Sequence, residues 1–144
     1  RLTVEPNGQF HIATTLIQEQ PGHFRVALDN RPTPSDNLFL YHKTTHRAEY
    51  TSARERFPEV DDVILWNERG ELTESTLANL VLRFGEDHFT PPISSGLLGG
   101  ALRAKLIADE TLKTKVLMKD ELEKADEILL INSVRKWITV ELLA

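Results

Sequence analysis

Hydrophobic residues occur in short runs along this chain, and residues that favour turns separate the runs. Two extended runs, at 1–4 and 9–17, flank a turn at residues 5–8, which is typical of a hairpin. From 23 to 29, Phe24, Val26 and Leu28 recur at every second position and predict a half-buried strand. Further apolar runs predict short strands at 38–41, 62–66, 77–84, 115–118, 127–131 and 137–142.

Three segments have the composition of helices. Residues 45–57 are rich in Ala, Arg and Glu and end before Pro58, while 101–107 and 120–125 predict two more helices. The prolines in 31–36 predict a loop, and residues 89–92 predict a segment on the surface. Many strands with few short helices indicate a mixed α/β domain whose sheet is largely antiparallel.

Residues 72–80 place a carboxylate, hydroxyls and an amide between two apolar runs. They follow a turn at 67–70 and carry Glu74 among hydroxyl side chains. The pattern predicts strand, reverse turn and strand, with the carboxylate where the second strand begins. Two interpretations stay open: a ligand-binding position at the mouth of a sheet, or a polar kink on a solvated edge.

Composition narrows the class of protein. A length of 144 residues suits one domain, and the absence of cysteine excludes disulfides, a thiolate nucleophile and cysteine metal sites. The net charge of −5 argues against a nucleic-acid partner. No apolar run approaches a membrane span and no signal segment opens the chain, so we expect a cytoplasmic protein. The chain opens on Arg1 rather than Met, and we expect a piece of a longer protein.

Two groups near residue 43 could carry chemistry. Lys43 follows an apolar run, and a desolvated amine there could form a Schiff base with an aldehyde; the alternative is an ordinary surface lysine. His42 and His46 are spaced like zinc ligands on a helix, but the glutamate that follows the first histidine in that motif is absent. We therefore expect solvated histidines and no metal.

A glycine-rich entry to the second helix, at 96–100, predicts backbone N–H groups that could bind an anion or phosphate. Ser133, at the end of a buried strand, could add a hydroxyl to the same anion. Each signal is weak alone. An amine, a carboxylate, a phosphate cradle and a hydroxyl are together what pyridoxal phosphate requires.

The order and spacing of these motifs resemble the class IV aminotransferases, which are pyridoxal-phosphate enzymes of fold type IV. The resemblance spans residues 42–47, 72–80, 90–103 and 132–137. It implies a curled sheet or pseudo-barrel flanked by helices, as in the large C-terminal domain of the D-amino-acid aminotransferase-like fold. It also implies that residues 1–144 are one cofactor-binding domain, and that the small N-terminal domain lies outside this chain.

The resemblance implies a role for each matched residue. Lys43 would bind the aldehyde of the cofactor and act as a base, and Glu74 would pair with the pyridine nitrogen. The remaining cofactor contacts would come from Gly100, Ala101, Leu102 and Ser133. Leu102 stands where many relatives have threonine, so backbone donors would have to serve there.

Within the family, residues 43–47, 66–68 and 132–137 most resemble aminodeoxychorismate lyase domains, particularly those fused behind the chorismate-aminating component of p-aminobenzoate synthase. Arg47 and Arg135 would bind an anionic small-molecule substrate. An amino-acid aminotransferase and a non-catalytic domain with the same fold are the alternatives. The family also implies a homodimer and an arginine from the small domain on the cofactor phosphate.

Overall fold

The computed structural model describes residues 1–17 and 24–143. Its regular elements are ten strands, two α-helices and three short 3₁₀ helices. The strands are β1 Leu2–Val4, β2 Phe10–Ile12, β3 Phe24–Leu28, β4 Asp62–Trp66, β5 Leu72–Ser75, β6 Asn79–Phe84, β7 Asp87–Thr90, β8 Lys113–Thr114, β9 Glu127–Asn132 and β10 Lys136–Leu142. The α-helices are α1 Ala48–Arg56 and α2 Ala101–Ala108, and the 3₁₀ helices are Leu38–Leu40, Ile93–Ser95 and Lys119–Lys124.

Six strands form a closed barrel in the order β5-β4-β3-β10-β9-β6, and pairing of β5 with β6 closes the ring. Strands β7 and β8 extend the sheet outward from β6, and β1 and β2 form a separate hairpin. Strand β3 is parallel to β4 and β10, whereas the other barrel pairings are antiparallel. The predicted mixed α/β fold with a largely antiparallel, curled sheet is confirmed.

Where helices cover the barrel, both faces of its wall are apolar, because the strands pack on the interior and on the helices. The interior cluster includes Val26, Ile64, Leu80 and Leu130, all buried. On the outer face, Val63 and Leu65 of β4 pack in one cluster with residues of α1. A third cluster joins β6 and β9 to α2. Among the described residues, no helix is long and apolar enough to cross a membrane.

Strand β5 was not predicted. It spans residues 72–75, ahead of the strand expected at 77–84, and a run of polar side chains hides it from a hydrophobicity pattern. Thr73, Glu74 and Ser75 are all buried because β5 pairs with β4 and with β6 to close the barrel. Tertiary pairing, rather than local preference, makes this segment a strand.

Three further predictions are wrong in detail. Residues 38–40 form a 3₁₀ helix instead of a strand, because the side chain of Asn37 accepts a hydrogen bond from the N–H of Phe39 and caps a turn. No strand forms at 115–118, and the two-residue β8, Lys113–Thr114, lies just before that segment. The segment 89–92 does not leave along the surface: its first two residues end β7, and Thr90 is fully buried.

Candidate active site

Four segments that are distant in sequence meet around one cleft of about 500 Å³, a volume typical of small-molecule sites. They are the turn before α1, the β5–β6 connection, the approach to α2 and the turn after β9. Every residue predicted to bind cofactor or substrate lines this cleft: Lys43, Arg47, Glu74, Gly100, Ala101, Leu102, Ser133 and Arg135. The structure brings the set together, while the role of each residue stays a prediction.

Glu74 lies in β5 and is only 5% exposed. Its Oε1 accepts hydrogen bonds from the hydroxyl of Tyr50 at 2.7 Å and from the N–H of Leu98 at 3.1 Å. Its Oε2 has a longer contact, 3.3 Å from Nδ2 of Asn79. Oε2 is therefore the oxygen with more capacity to accept a proton donor from a ligand. The alternative of a polar kink on a solvated edge is wrong.

Burial raises the pKa of Glu74 to about 7, because surroundings of low polarity disfavour a charged carboxylate. The hydrogen bonds from Tyr50 and Leu98 and the charges of Arg47 and Lys43 act in the opposite direction and lower this pKa. Whether Glu74 is ionised near neutral pH therefore depends on the charge of the groups beside it in the cleft. A cation beside the carboxylate would keep it ionised.

Lys43 lies in the turn between the first 3₁₀ helix and α1, and it is exposed at the edge of the cleft. The expectation that an apolar strand leads into Lys43 and desolvates its amine is wrong, since the apolar residues 38–40 directly before it form a 3₁₀ helix and the lysine is exposed. Arg47 begins α1 from the same turn. Its guanidinium donates a hydrogen bond to the carbonyl of Thr76 and lies 4.5 Å from the centre of the Tyr50 ring. These two contacts hold the guanidinium of Arg47 beside Thr76, at the edge of the cleft.

Close packing fixes the turn that enters α2. Asn79 Nδ2 donates to the carbonyl of Leu98 at 2.8 Å, and a Cβ atom on Gly100 would lie only 2.2 Å from Asn79 Oδ1. Glycine is therefore required at position 100 for steric reasons. The first bond inside the helix runs from the N–H of Ala104 to the carbonyl of Gly100. The N–H groups of Ala101 and Leu102 precede it and have no acceptor within the helix.

Ser133 and Arg135 belong to the turn between β9 and β10. The side chain of Asn132 shapes this turn, because its Oδ1 accepts hydrogen bonds from the N–H of Val134 at 3.0 Å and of Arg135 at 2.8 Å. Ser133 is exposed and lines the same cleft as Ala101 and Leu102.

Two cleft residues with buried polar groups were missed from sequence. Tyr50 on α1 is 8% exposed and donates to Glu74. Arg103 is 4% exposed, and it donates to the hydroxyl of Thr90 and to the carbonyl of Pro91. Burial lowers the pKa of Arg103, and the charge of Glu74 opposes that effect. In the sequence, the only signal for Tyr50 and Arg103 was a polar side chain at a helix position whose spacing predicts burial.

Neither His42 nor His46 lines the cleft. The ring of His46 lies 4.0 Å from that of Phe39, and both residues are exposed. Across the part of the chain that the structure describes, no group of three or more His, Cys, Asp or Glu side chains could hold a metal ion.

Comparison with known proteins gives relatives along almost the whole chain. The model of the family described as amino-transferase class IV matches residues 5–143. A Schizosaccharomyces pombe protein named "Putative aminodeoxychorismate lyase" is 31% identical, over 78% of this chain and 52% of the relative. The chain thus spans about half the length of that relative.

Two solved structures extend the comparison to the fold. A "Putative amino-acid aminotransferase" from Mesorhizobium loti superposes with a TM-score of 0.92 at 30% identity, covering 99% of this chain and 71% of that chain. A "Putative 4-amino-4-deoxychorismate lyase" from Legionella pneumophila gives a TM-score of 0.82 at 28% identity, covering 93% and 52%. The barrel described above is shared with both.

Proposed function

The chain belongs to the class IV aminotransferase family, a family of pyridoxal-phosphate enzymes with fold type IV, and from this we propose that it is the cofactor-binding domain of a lyase. The reaction converts 4-amino-4-deoxychorismate to p-aminobenzoate and pyruvate. The observation that carries cofactor binding is that Lys43 and the buried carboxylate of Glu74 line one cleft, and the choice of a lyase follows the relatives named as aminodeoxychorismate lyases. Since the chain spans about half of its Schizosaccharomyces pombe relative, the activity is proposed for a longer protein.

The cleft has the donor set that pyridoxal phosphate needs. Oε2 of Glu74 can accept a hydrogen bond from a protonated ring nitrogen, and the amine of Lys43 can bind the aldehyde. The phosphate would bind at the backbone N–H groups of Ala101 and Leu102 and at the hydroxyl of Ser133. A side chain at position 100 would press on Asn79, which holds the turn before these N–H groups through the carbonyl of Leu98.

When bound, pyridoxal phosphate draws electrons from the substrate carbon that carries the amine, which makes the proton on that carbon acidic. Lys43 would take this proton, because its amine is free once the substrate amine has replaced it. Glu74 would hold a proton at the ring nitrogen, and that positive charge would in turn keep Glu74 ionised despite its burial.

The charges of the cleft support an anionic substrate. Arg47 and Arg135 line it together with Lys43. Arginine forms paired hydrogen bonds with carboxylates, and 4-amino-4-deoxychorismate carries two of them. Arg47 keeps donors to spare, since a guanidinium has five N–H groups and its bond to Thr76 uses few of them.

An amino-acid aminotransferase is the second candidate, and the similarity to the Mesorhizobium loti structure favours it. The two reactions differ in their requirements. The lyase reaction is balanced without a second substrate, because p-aminobenzoate and pyruvate together contain all atoms of 4-amino-4-deoxychorismate. An aminotransferase requires a keto acid as the amino acceptor. We further propose that a small N-terminal domain of the same polypeptide completes the pocket, and that the enzyme is a homodimer.

The test uses the full-length protein that contains this chain. Addition of pyridoxal phosphate should produce a visible absorption band, and Lys43→Ala should abolish it because no other amine lies at that position. The matched control is Lys113→Ala, an exposed lysine paired with Asp87 away from the cleft, which should keep the band. A band that is indifferent to Lys43→Ala would overturn the assignment of Lys43.

Product analysis then separates the two reactions. Incubation with 4-amino-4-deoxychorismate and no keto acid should release pyruvate in equal amounts with p-aminobenzoate. Turnover that requires a keto acid would favour the aminotransferase. A folded protein with neither a band nor turnover would indicate a non-catalytic domain that has kept the fold.

A further inference from the structure

Tyr50 contacts both predicted halves of the site. It lies on α1 and is 8% exposed. Its hydroxyl donates to Oε1 of Glu74 at 2.7 Å, and its ring supports the guanidinium of Arg47 at 4.5 Å from the ring centre. One side chain thus links the carboxylate proposed for the cofactor with the cation proposed for the substrate.

The hydroxyl of Tyr50 donates to Glu74 when the carboxylate is ionised. Burial, followed by the negative charge of Glu74, raises the pKa of Tyr50 well above its ordinary value, so its proton remains in place across the physiological range. A hydrogen bond to a carboxylate favours the ionised form. Removing it should therefore make Glu74 easier to protonate.

The other groups around Glu74 do not replace this contact. The N–H of Leu98 donates to the same oxygen at 3.1 Å, a longer bond. Arg47, Lys43 and, from α2, Arg103 interact with Glu74 through their charges. Asn79 approaches only Oε2. With Oε1 held by two donors, Oε2 remains for the ligand, so Tyr50 influences both the charge and the direction of the carboxylate.

The ring of Tyr50 has a second, separable effect. A guanidinium over an aromatic face is attracted to the ring and loses freedom to rotate away. Arg47 would otherwise be held by the carbonyl of Thr76, and it is exposed at the cleft mouth. The hydroxyl and the ring can therefore be tested with different substitutions.

We propose that Tyr50 is a positioning residue that couples the two halves of the site: its hydroxyl keeps Glu74 ionised and aimed at a cationic ring nitrogen, and its ring holds Arg47 toward an anionic substrate. The inference rests on the proposed function for the identity of both ligands. The link between the side chains does not depend on that identity.

The first experiment follows the carboxyl carbon of Glu74 by ¹³C NMR during a pH titration of the cofactor-free, full-length protein, with Glu74→Gln to assign the signal. Tyr50→Phe should move the midpoint upward by about one pH unit, because a hydrogen bond to a charged group contributes about 1.5–3 kcal/mol. Tyr41→Phe is the matched control, since Tyr41 donates to the carbonyl of Ser35 and does not line the cleft. An unmoved midpoint in Tyr50→Phe would overturn the proposal.

The second experiment separates hydroxyl from ring by steady-state kinetics. Tyr50→Phe should lower kcat about tenfold and change KM by less than about twofold, since the ring remains under Arg47. Tyr50→Leu should also raise KM about fivefold or more. Equal KM values in the two variants would show that the ring does not hold Arg47. Because the titration uses no cofactor, its failure counts against the role of Tyr50, whereas a missing absorption band counts against the proposed function.

Discussion

At the scale of single residues, Glu74 shows how burial can prepare a carboxylate for a cationic ligand. An isolated buried carboxylate is unfavourable, and here its pKa is raised to about 7. Two donors on Oε1 keep the side chain in place, while Oε2 stays less engaged. The site is therefore ordered before a ligand binds, and a protonated ring nitrogen would complete its hydrogen bonding.

Glu74→Gln should leave cofactor attachment at Lys43 intact but lower turnover. The amide carries no charge to keep the ring nitrogen protonated, and the lost charge-assisted bond of about 1.5–3 kcal/mol corresponds to a decrease of roughly ten- to hundredfold or more. The measurement is kcat together with the visible band. Glu127→Gln is the control, because Glu127 pairs with Arg83 outside the cleft. Full activity in Glu74→Gln would contradict the assigned role.

At the scale of elements, the approach to α2 joins a helix start to the barrel wall. Asn79 opens β6 opposite Glu74 of β5, and its side chain reaches the carbonyl of Leu98 in the turn. Gly100 follows with no room for a Cβ atom. One asparagine thus contacts both the carboxylate and the turn that leads to the helix N-terminus. A change in that turn should therefore alter the positions of both.

Gly100→Ala should weaken cofactor binding and stability together. The added Cβ would meet Oδ1 of Asn79 at 2.2 Å and displace it, and overpacking of this kind costs about 1–3 kcal/mol. We expect a lower Tm of the cofactor-free protein and an affinity for pyridoxal phosphate reduced about tenfold or more.

The neighbouring glycine provides a matched control for that substitution. A Cβ on Gly99 would meet the flexible end of Ile93 at 3.2 Å, which can move at small cost. Gly99→Ala should therefore keep most of the stability and affinity. Similar losses in both variants would mean that general disturbance of the turn, rather than the contact with Asn79, is responsible.

At the scale of the whole molecule, closure of the barrel is linked to pH through Glu74, which lies in the closing strand β5. Its pKa in the folded protein is raised from 4.5 to about 7, so between these values the folded state binds more protons than the unfolded state. The stabilising effect of that proton is complete below pH 4.5 and is lost as the pH rises through 7. This is opposite to the usual behaviour of a carboxylate in a salt bridge.

The cofactor-free protein should therefore lose about 3 kcal/mol of unfolding free energy, relative to Glu74→Gln, between pH 4.5 and pH 8. Urea unfolding of both proteins at several pH values measures the difference. Subtracting the values of the Gln variant cancels the contributions of all other titrating groups. A difference that does not change with pH would show that Glu74 is already charged in the folded protein throughout that range.

Much of the fold could be predicted from the pattern of apolar residues. The strands at 62–66, 127–131 and 137–142 and the start of α2 agree with the structure, and for β4 the reason is that burial on both faces leaves a continuous apolar run. Strand β5 and the 3₁₀ helix at Leu38–Leu40 could not be predicted in this way. The first is polar and exists through its two partners, and the second depends on a single side-chain cap.

The candidate site shows the same division. Lys43, Glu74 and the glycine-rich turn are visible in sequence because chemistry requires those residue types in recognisable motifs, and their order alone was enough to indicate the family and its cofactor. Nothing in that order indicated that Tyr50 would touch Glu74 or that Asn79 would fill the space beside Gly100. Those contacts join residues far apart in sequence. They exist only because closing the barrel brings the four segments to one cleft, and burial there, rather than residue type, decides the charge of Glu74.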